Sequence, residues 1–334
     1  MWNPIFAFTI YLLFGFAVGI DIFDTFLKYV DQFKKSYVNH PDELHTRFNI
    51  FKGNLIRIEK LNQQNKSSAW YGINKFSDLT PEEFKASYLT DLKPHHVHHP
   101  LRARGYVTQP EKFHSLNIPK KLDWRNFKNQ SYVSPVKNQN SCGGCWAFST
   151  AELTESMYAI QKHLPPPDLS VQEIIDCAMY NSGCTGGDTC AAMQWLVDSH
   201  VPLVSDKDYP LTDESDYCKL LPTSSTGVKV SNYTCRSYLQ NEQDMLMLLS
   251  DGPLTVSVDA TLWANYQGGI IQHHCGTTIN HAVVIVGYDL TGDIPYYIVR
   301  NSWGPDFGIN GYLHVKIGEN MCGIAGHVST LYVV

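Results

Sequence analysis

Apolar and polar residues recur with different periods along the chain, and these periods predict helices and strands in a definite order. Between residues 43 and 62 a stripe of side chains recurs every three or four positions, as on one face of a helix. Its members are Glu43, Arg47, Phe51, Asn54, Ile58 and Asn62. A period of two follows and predicts a strand, through Gly72, Asn74, Phe76 and Asp78. Another helix is predicted over 79–89, with Thr80 as its cap.

The pattern changes in the second part of the chain. Helices are predicted over 145–162 and over 191–199. A further helix between them is predicted to begin after Ser170, which forms a capping box with Glu173. Strands are predicted over 254–260, 282–289, 296–301 and 311–318. Because the helices come first and the strands later, the order favours an α+β architecture with two sub-domains over a βαβ sheet.

Residues 91–117 separate these two parts. They have no periodicity, contain several prolines and include 95-HHVHH-99 and 102-RAR-104. This composition is typical of an exposed, cleavable linker. A metal site is one interpretation of the histidine cluster, but a solvated linker segment that becomes charged near pH 6 is favoured.

The first residues predict a secretory signal. Residues 5–18 are almost wholly apolar, and Ala17, Val18 and Gly19 place small residues before a cut near Gly19. A membrane anchor is the alternative, but the run is shorter than the roughly 18–20 apolar residues that a membrane span needs. We therefore expect a signal peptide over 1–19, no stable membrane insertion and an oxidising compartment.

Composition and charge narrow the function further. Hydrophobic residues make up 43% of the 334 residues, charged residues make up 17%, and the net charge is −6. This composition suits a globular protein with a sizeable core. Nothing in the charge pattern favours nucleic acid as a partner. Three glycosylation sequons also fit a secretory route: Asn65, Asn129 and Asn232.

The cysteines raise a specific question. There are nine, so at least one has no intramolecular partner. Cys142 and Cys145 are separated by two glycines, a spacing that suits a redox dithiol or half of a zinc site. A dithiol would need a βαβ pattern and zinc a second close pair, and neither is present. The pair therefore divides into one structural and one free cysteine.

A free thiol at position 145 needs more than its helix to become reactive. The N-terminus of a helix contributes about 0.3–1 kcal/mol, and up to about 2. Lowering the pKa of a thiol from about 8.5 to about 3–4 needs about 6–7 kcal/mol. A histidine is therefore required, and a third group should orient it. His281 opens an apolar strand, and Asn301 ends the next one.

Two further residues complete this candidate site. Trp303 follows Asn301 closely and could cover a hydrogen bond between His281 and Asn301. Gln139 lies six residues before Cys145. Its side-chain amide, together with the Cys145 backbone N–H, could hold a developing oxyanion.

These motifs together resemble the papain family of cysteine peptidases. Gln139, 142-CGGCWAF-148, 281-HAVVIVGY-288 and 301-NSWG-304 carry the resemblance, and His281 and Asn301 follow Cys145 by 136 and 156 residues. The stripe from Glu43 to Asn62 matches the ERFNIN helix of the family propeptide, and Gly72 to Asp78 match its GNFD motif. Gly144 is a departure, since Ser or Ala is usual there.

The resemblance implies a papain-like two-lobed fold preceded by a helical inhibitory propeptide. The propeptide would cover residues 20–116 and the peptidase domain 117–334. A helical left lobe would span about 124–227 and a β-barrel-like right lobe about 228–334. Cys145 would attack the peptide carbonyl, and His281 would protonate the leaving amine. No cofactor and no metal are implied.

The resemblance also implies three disulfides: Cys142–Cys184, Cys177–Cys218 and Cys275–Cys322. It leaves Cys190 and Cys235 unexplained, and a fourth bridge between them is slightly favoured over two buried thiols. The propeptide would run backwards through the cleft, and acid would release it as carboxylates such as Asp78 become protonated. Cleavage within 91–117 would give an enzyme that begins near residues 116–118.

Substrate-binding positions follow from the same resemblance. Gly186 and Gly187 would hydrogen-bond an extended substrate backbone, and Trp303 would also contact the substrate. The S2 pocket, more polar than is common in the family and with His327 at its base, would be lined by Asp188, Thr189, Ser257, Ile279, Ala282 and His327. This pocket predicts weaker selectivity for large apolar P2 residues. An endopeptidase is favoured.

The implied partners are peptide and protein substrates, the chain's own propeptide and cystatin-like inhibitors, and we expect a monomer. The lysosome is favoured as location, with the extracellular space as alternative. A different class of function is a binding protein: a peptidase-like fold without activity, or an inhibitor built on the propeptide.

Overall fold

A computed structural model describes residues 22–63, 68–90, 118–219 and 226–334. The signal segment, the linker over 91–117 and Asn65 lie outside these described residues. We refer to residues 22–90 as the N-terminal region and to residues 118–334 as the C-terminal region. None of the helices in the described ranges combines the length and apolar character needed to cross a membrane.

The described residues contain seven α-helices, and the five between residues 41 and 199 form where the sequence predicts helices. They are α1 (22–32), α2 (Pro41–Gln63), α3 (Pro81–Tyr88), α4 (Cys145–Lys162), α5 (Val171–Cys177), α6 (Thr189–Ser199) and α7 (Gln243–Leu249). At the start of α3, Thr80 accepts from the Glu83 backbone and the Glu83 side chain accepts from Thr80, so the capping box is complete.

Twelve short strands accompany these helices within the described residues. They are β1 (Trp70–Tyr71), β2 (Lys121–Asp123), β3 (Leu203–Val204), β4 (Gly227–Val228), β5 (Val230–Arg236), β6 (Leu254–Val258), β7 (Tyr266–Gly268), β8 (Ile270–Ile271), β9 (His281–Asp289), β10 (Tyr296–Arg300), β11 (Tyr312–Lys316) and β12 (Val328–Val333). The strands predicted from residue 254 onward therefore all form.

The C-terminal region is built around one eight-stranded sheet. Its strand order is β5-β12-β6-β9-β10-β11-β8, with β2 added beside β9. All pairs are antiparallel except β11 with β8. The N-terminal region joins a separate ladder, because β1 pairs with β7. Together with the helices this gives the α+β class that the sequence predicts.

The C-terminal region contains two apolar cores, and the one centred on the sheet also includes residues of the N-terminal region such as Tyr71, Phe76 and Phe84. The helical lobe is centred on α4, α5 and α6, and the sheet lobe on β6 and β9 to β11. The predicted lobe boundary at residue 228 does not separate these two cores. The ribbon of β5 and β12 extends into the helical core, to which it contributes Val230, Leu331 and Val333. This ribbon therefore belongs to both lobes.

Two local predictions were wrong. The alternating residues from Gly72 to Asp78 do not form a strand; a strand is present only at Trp70–Tyr71, and turns follow it. The backbone N–H of Ser77 donates to Asn74 O at 2.9 Å, which closes one of these turns. The capping box at Ser170 is only half formed. Ser170 caps α5, but the Glu173 carboxylate accepts from Val204 N instead.

Candidate active site

The nucleophile candidate opens the central helix. Cys145 is the first residue of α4 and is fully buried, with Gly144 at the N-cap. A Cβ at Gly143 would lie 2.5 Å from the Cys184 carbonyl oxygen, so this position requires glycine. A Cβ at Gly144 would lie 3.1 Å from the Cys142 sulfur and 3.2 Å from Ile175. Gly144 thus relieves a tight contact beside the disulfide.

The structure gives the nine cysteines different fates. Eight of them form four disulfides: Cys142–Cys184, Cys177–Cys218, Cys190–Cys235 and Cys275–Cys322. The fourth bridge that the sequence left open is therefore present. Cys145 alone is free among the nine, all of which lie in the described residues. The CGGC pair is thus not a dithiol.

Histidine and asparagine meet at the ends of neighbouring strands. His281 begins β9, and Asn301 follows β10, which is paired with β9. His281 Nε2 lies 2.8 Å from Asn301 Oδ1, and both side chains are fully buried. Ser302 N–H donates to the same Oδ1 at 2.9 Å, so this atom is an acceptor. His281 Nε2 therefore carries the proton, and Nδ1 is the unprotonated nitrogen of the neutral ring.

Trp303 covers this hydrogen bond, as the sequence predicts. Its ring stacks on His281 with a centroid distance of 4.8 Å and an interplanar angle of 28°. Trp303 is fully buried. The stacked indole keeps water away from the bond between His281 and Asn301 and limits rotation of the imidazole.

Gln139 is held on the other side of Cys145 by a residue that sequence reasoning missed. Ser302 Oγ donates to Gln139 Oε1 at 2.6 Å, and Gln139 N–H donates to Ser302 O at 2.8 Å. Because Oε1 accepts from Ser302, the amide is oriented with Nε2 as its donor atom. Nε2 donates to Cys142 O at 3.0 Å and to Tyr88 O at 3.3 Å. The serine of 301-NSWG-304 was the signal available in the sequence.

The end of the N-terminal region occupies the space between these groups. Tyr88 presents its carbonyl to Gln139, and two residues later Thr90 N–H donates to Asn280 O at 2.8 Å. Thr90 Oγ1 donates to Thr185 O at 3.3 Å. A Cβ at Gly186 would lie 2.0 Å from Thr90 Oγ1, so the glycine lets this segment approach. Residues 88–90 thus line the groove along Cys145 and His281.

Burial keeps both reacting groups neutral in this state. Burial raises the pKa of the Cys145 thiol to about 12, although hydrogen bonds from the backbone at Ala282, Trp146 and Cys145 itself oppose the shift. Burial lowers the pKa of His281 to about 4, against the effect of the Asn301 hydrogen bond. His281 Nδ1 is buried and makes no hydrogen bond within the described part of the chain. A thiol, rather than a thiolate, therefore faces the imidazole here.

The positions predicted for the S2 pocket are grouped only in part. Ser257 on β6 pairs with Ala282 on β9, and Ser257 N–H donates to His327 O at 3.1 Å. Thr189 lies opposite, with Oγ1 3.2 Å from Ser329 Oγ. The remaining predicted positions have other surroundings: Gly187 lies against Trp146, Asp188 caps α6, and Ile279 lies near Gly323. His327 is exposed.

Sequence comparison adds two family matches to this geometry. Residues 118–332 match the papain family cysteine protease profile, and residues 26–84 match the cathepsin propeptide inhibitor domain. The first match covers all but the last two residues of the C-terminal region, which carries Cys145, His281 and Asn301.

The chain belongs to the papain family of cysteine peptidases. Its N-terminal region is a cathepsin-type propeptide, so the whole chain is the zymogen of a cysteine peptidase.

Curated papain-family relatives include two cathepsin O proteins. Human cathepsin O is 45% identical over 288 residues, which cover 85% of this chain and 87% of the relative. Mouse cathepsin O is 46% identical over 270 residues, which cover 80% and 83%. The segments 142-CGGCW-146 and 268-GGIIQHHC-275 resemble those of cathepsin O, and these matches over most of the chain confirm the resemblance.

Solved papain-family structures share both regions. A recombinant stem bromelain precursor has a TM-score of 0.79 and 32% sequence identity to this chain. The match covers 93% of this chain and 99% of the bromelain precursor chain. Procathepsin L2 from Tenebrio molitor larval midgut has a TM-score of 0.80, 31% identity and the same coverage. The fold of the precursor, including its propeptide, is therefore the papain-like one.

Proposed function

We propose that this cysteine peptidase works through Cys145, His281 and Asn301, with Gln139 as an oxyanion donor. The observation that carries this proposal is the single free cysteine at the start of α4, combined with the fixed tautomer of His281. The Nε2–H bond to Asn301 leaves Nδ1 free for the thiol proton. No other cysteine among the nine has a free thiol.

The reaction is acyl transfer in two steps. The thiol proton passes to His281 Nδ1, and the Cys145 thiolate attacks the carbonyl carbon of the peptide bond. The carbonyl oxygen gains charge and is held by Gln139 Nε2 and the Cys145 N–H. His281 then protonates the leaving amine, and the C–N bond breaks to leave a thioester. Water, deprotonated by His281, hydrolyses the thioester and restores the thiol.

The propeptide blocks this reaction in three ways that the geometry supports. Residues 88–90 occupy the groove, the Tyr88 carbonyl takes the Gln139 donor, and burial disfavours the charged pair of thiolate and imidazolium. Tyr88 is bound on the Gln139 side and Thr90 beside Gly186, and the reversed direction of the propeptide relative to a substrate stays a prediction. Release of residues 88–90 would return water to the site and allow the pair to ionise.

The cellular setting is part of the same proposal. The predicted signal peptide and the three sequons support a secretory route, and a propeptide released by acid favours the lysosome over the extracellular space. We propose that the mature enzyme is a monomer that degrades protein substrates in acid and is inhibited by cystatin-like proteins. Polar residues around S2 support weak selectivity for large apolar P2 side chains, which a peptide-library profile dominated by Leu or Phe at P2 would contradict.

The decisive test compares single substitutions in the acid-activated enzyme. Cys145→Ser and His281→Ala should each abolish peptide hydrolysis, while a papain-like propeptide and fold remain. An inactive peptidase-like protein, the alternative from a different class, would show no hydrolysis in the unsubstituted chain either. Hydrolysis that survives Cys145→Ser would contradict the assignment of the nucleophile.

A further inference from the structure

One of the four disulfides differs from the others in what it connects. Cys142–Cys184 and Cys177–Cys218 join segments of the helical lobe, and Cys275–Cys322 joins two segments of the sheet lobe. Cys190–Cys235 joins α6 of the helical lobe to β5, the edge strand of the eight-stranded sheet. It therefore attaches α6 covalently to the ribbon of β5 and β12 that both lobes share.

This disulfide lies directly beside a polar contact between α6 and β12, the strand that pairs with β5. Thr189 is the neighbour of Cys190 at the start of α6, and Ser329 on β12 is the cross-strand partner of Cys235 on β5. Thr189 Oγ1 lies 3.2 Å from Ser329 Oγ. The start of α6 is thus attached twice to the cross-strand pair of Cys235 and Ser329. The disulfide reaches Cys235, and the Thr189 hydroxyl contacts the hydroxyl of Ser329.

The hydroxyl contact continues into the sheet. Ser329 Oγ lies 2.5 Å from Oγ1 of Thr255, its cross-strand partner on β6. Thr189, Ser329 and Thr255 are all buried, so these hydroxyls satisfy one another without solvent. We refer to these three residues as the hydroxyl chain.

The hydroxyl chain leads to the region where the P2 side chain is expected. Side chains two positions apart on a strand share a face, so Ser257 lies on the same face of β6 as Thr255. Ser257 is bonded through its backbone to His327, which immediately precedes β12. The Thr189 side of the cleft and the Ser257 side are therefore held together at the hydroxyl chain.

We propose that Cys190–Cys235 is a positioning element of the substrate cleft. The disulfide holds the wall of the cleft that contains Thr189 at a fixed distance from the wall that contains Ser257. The hydroxyl chain lies between these two walls and forms the base of the pocket. The P2 side chain then meets a pocket of fixed width, which favours small or hydroxyl-bearing residues over large apolar ones. This inference rests on the proposed function, because it needs a cleft that binds peptides.

The test removes the disulfide and compares P2 selectivity. The double variant Cys190→Ala/Cys235→Ala is matched with Cys177→Ala/Cys218→Ala, which removes a bridge of similar sequence separation, 41 residues against 45, within the helical lobe. Because the two closed loops are nearly equal in length, general effects on the unfolded chain should be similar. Active enzyme is counted in each sample by titration with an epoxide inhibitor such as E64.

The measured quantity is the ratio of kcat/KM for a Thr substrate to kcat/KM for a Phe substrate at P2. Loss of Cys190–Cys235 should lower this ratio about tenfold, the size that pocket fit typically contributes to discrimination. The change should appear mainly in KM. The Cys177/Cys218 variant should keep the unsubstituted ratio, and an equal fall in both variants would overturn the inference.

A second variant serves if the double substitution prevents folding. Ser329→Ala keeps the disulfide and interrupts the hydroxyl chain, so the ratio should move in the same direction by a few fold. A ratio unchanged in Ser329→Ala, and in Cys190→Ala/Cys235→Ala where that variant folds, would overturn the inference. An unsubstituted enzyme that neither cleaves peptides nor reacts with the epoxide would instead refute the proposed function.

Discussion

The hydrogen bonds around Ser302 connect the two sides of the catalytic site through a single residue. Its backbone N–H fixes the amide of Asn301, and its hydroxyl fixes the amide of Gln139. One residue therefore orients both the group that holds His281 and the group proposed to bind the oxyanion. Ser302 touches neither the nucleophile nor the expected substrate position and acts by positioning.

Replacement of Gln139 tests the oxyanion proposal at this scale. Gln139→Ala should lower kcat by about 10²–10³, because one preorganised donor to the developing charge is lost. KM should change little, and Cys145 should still be alkylated at the unsubstituted rate. Kinetics on a peptide substrate with parallel alkylation would measure this, and an unchanged kcat would refute the role of Gln139.

The sequence predicts which residues belong to the candidate site better than it predicts which residues contact them. The sequence allows selection of Cys145, His281 and Asn301 because each lies at the end of a helix or strand. A polar side chain that is buried there suggests a functional role. Ser302 could not be selected in this way, because its two roles depend on contacts between segments 163 residues apart. Gly144 becomes understandable only through its distance to a disulfide sulfur.

Helix α3 of the propeptide and the turn before it form an aromatic surface that contacts one side chain of the peptidase domain. Phe76, Phe84 and Tyr88 surround Trp303 with ring centroids 5.8, 5.2 and 6.3 Å away. Trp303 stacks on His281 in turn. The helix α3 therefore docks directly over the ring that stacks on His281.

Removal of one of these rings should weaken the docking. Phe84 is 3% exposed, and Phe84→Ala should cost about 3 kcal/mol or more of contact with Trp303 and Phe76. The zymogen should then convert to mature enzyme faster at a given pH. Ile56→Ala on α2, where the side chain is 69% exposed, is the matched control. Equal conversion rates for the two variants would contradict the account.

Asp78 anchors the turn that precedes α3. Its buried carboxylate accepts hydrogen bonds from Tyr29 at 2.6 Å, Tyr37 at 2.6 Å and Lys35 at 2.8 Å. Asp78→Ala leaves the Tyr37 hydroxyl without its acceptor and leaves Tyr29 and Lys35 with only the Lys75 carbonyl oxygen. Breaking such a buried pair costs about 3–5 kcal/mol.

Because less docking energy then has to be overcome, Asp78→Ala should weaken inhibition and shift activation to higher pH. The activation profile against pH measures this. Asp24→Ala, at an exposed position of α1, is the control that also removes one carboxylate. A profile that is the same for Asp78→Ala and the unsubstituted zymogen would count against the anchor role.

At the scale of elements, periodicity predicts long segments well and short ones poorly. Helices α2, α3 and α4 formed where the stripe and cap residues indicate. The alternation from Gly72 to Asp78 was misleading, because these residues are set by turn bonds and by contacts with Tyr29, Tyr37 and Ala264. Such contacts come from distant segments, so a local pattern cannot show them.

The whole molecule contains a candidate acid-sensitive contact between propeptide and peptidase domain. The Tyr71 ring lies edge-on to His274 with centroids 6.4 Å apart, and burial raises the pKa of Tyr71 to about 12. His274 Nε2 is buried without a hydrogen bond in the described residues. Burial, and then the neighbouring His273, lower the pKa of His274 below its usual range.

The direction of this shift sets the direction of the pH effect. A lowered pKa in the docked state means that docking is strongest above about pH 6.5, the ordinary range of histidine, and weakens as pH falls below it. His274→Asn cannot take up the proton, and asparagine tolerates the positive φ of 67° at this position. The variant zymogen should therefore need lower pH for activation, as measured by conversion against pH. A midpoint no lower than that of the control His200→Asn, at an exposed position that also has a positive φ, would contradict this.

The relation between the two lobes was the part that the sequence predicted least. The order of helices and strands indicates two sub-domains, but not that β5 and β12 serve both cores. The pairing of Cys190 with Cys235 was open for the same reason, since it depends on where α6 meets this ribbon.

The central claim is that Cys145 is a nucleophile kept inert by the propeptide. The direct measurement is covalent labelling by an epoxide inhibitor such as E64 at one pH, before and after acid activation, with the modified peptide identified by mass. The account predicts label on Cys145 only after the propeptide is removed, because the buried thiol of the zymogen has a pKa of about 12. Equal labelling of the zymogen, or no labelling of the activated enzyme, would contradict it.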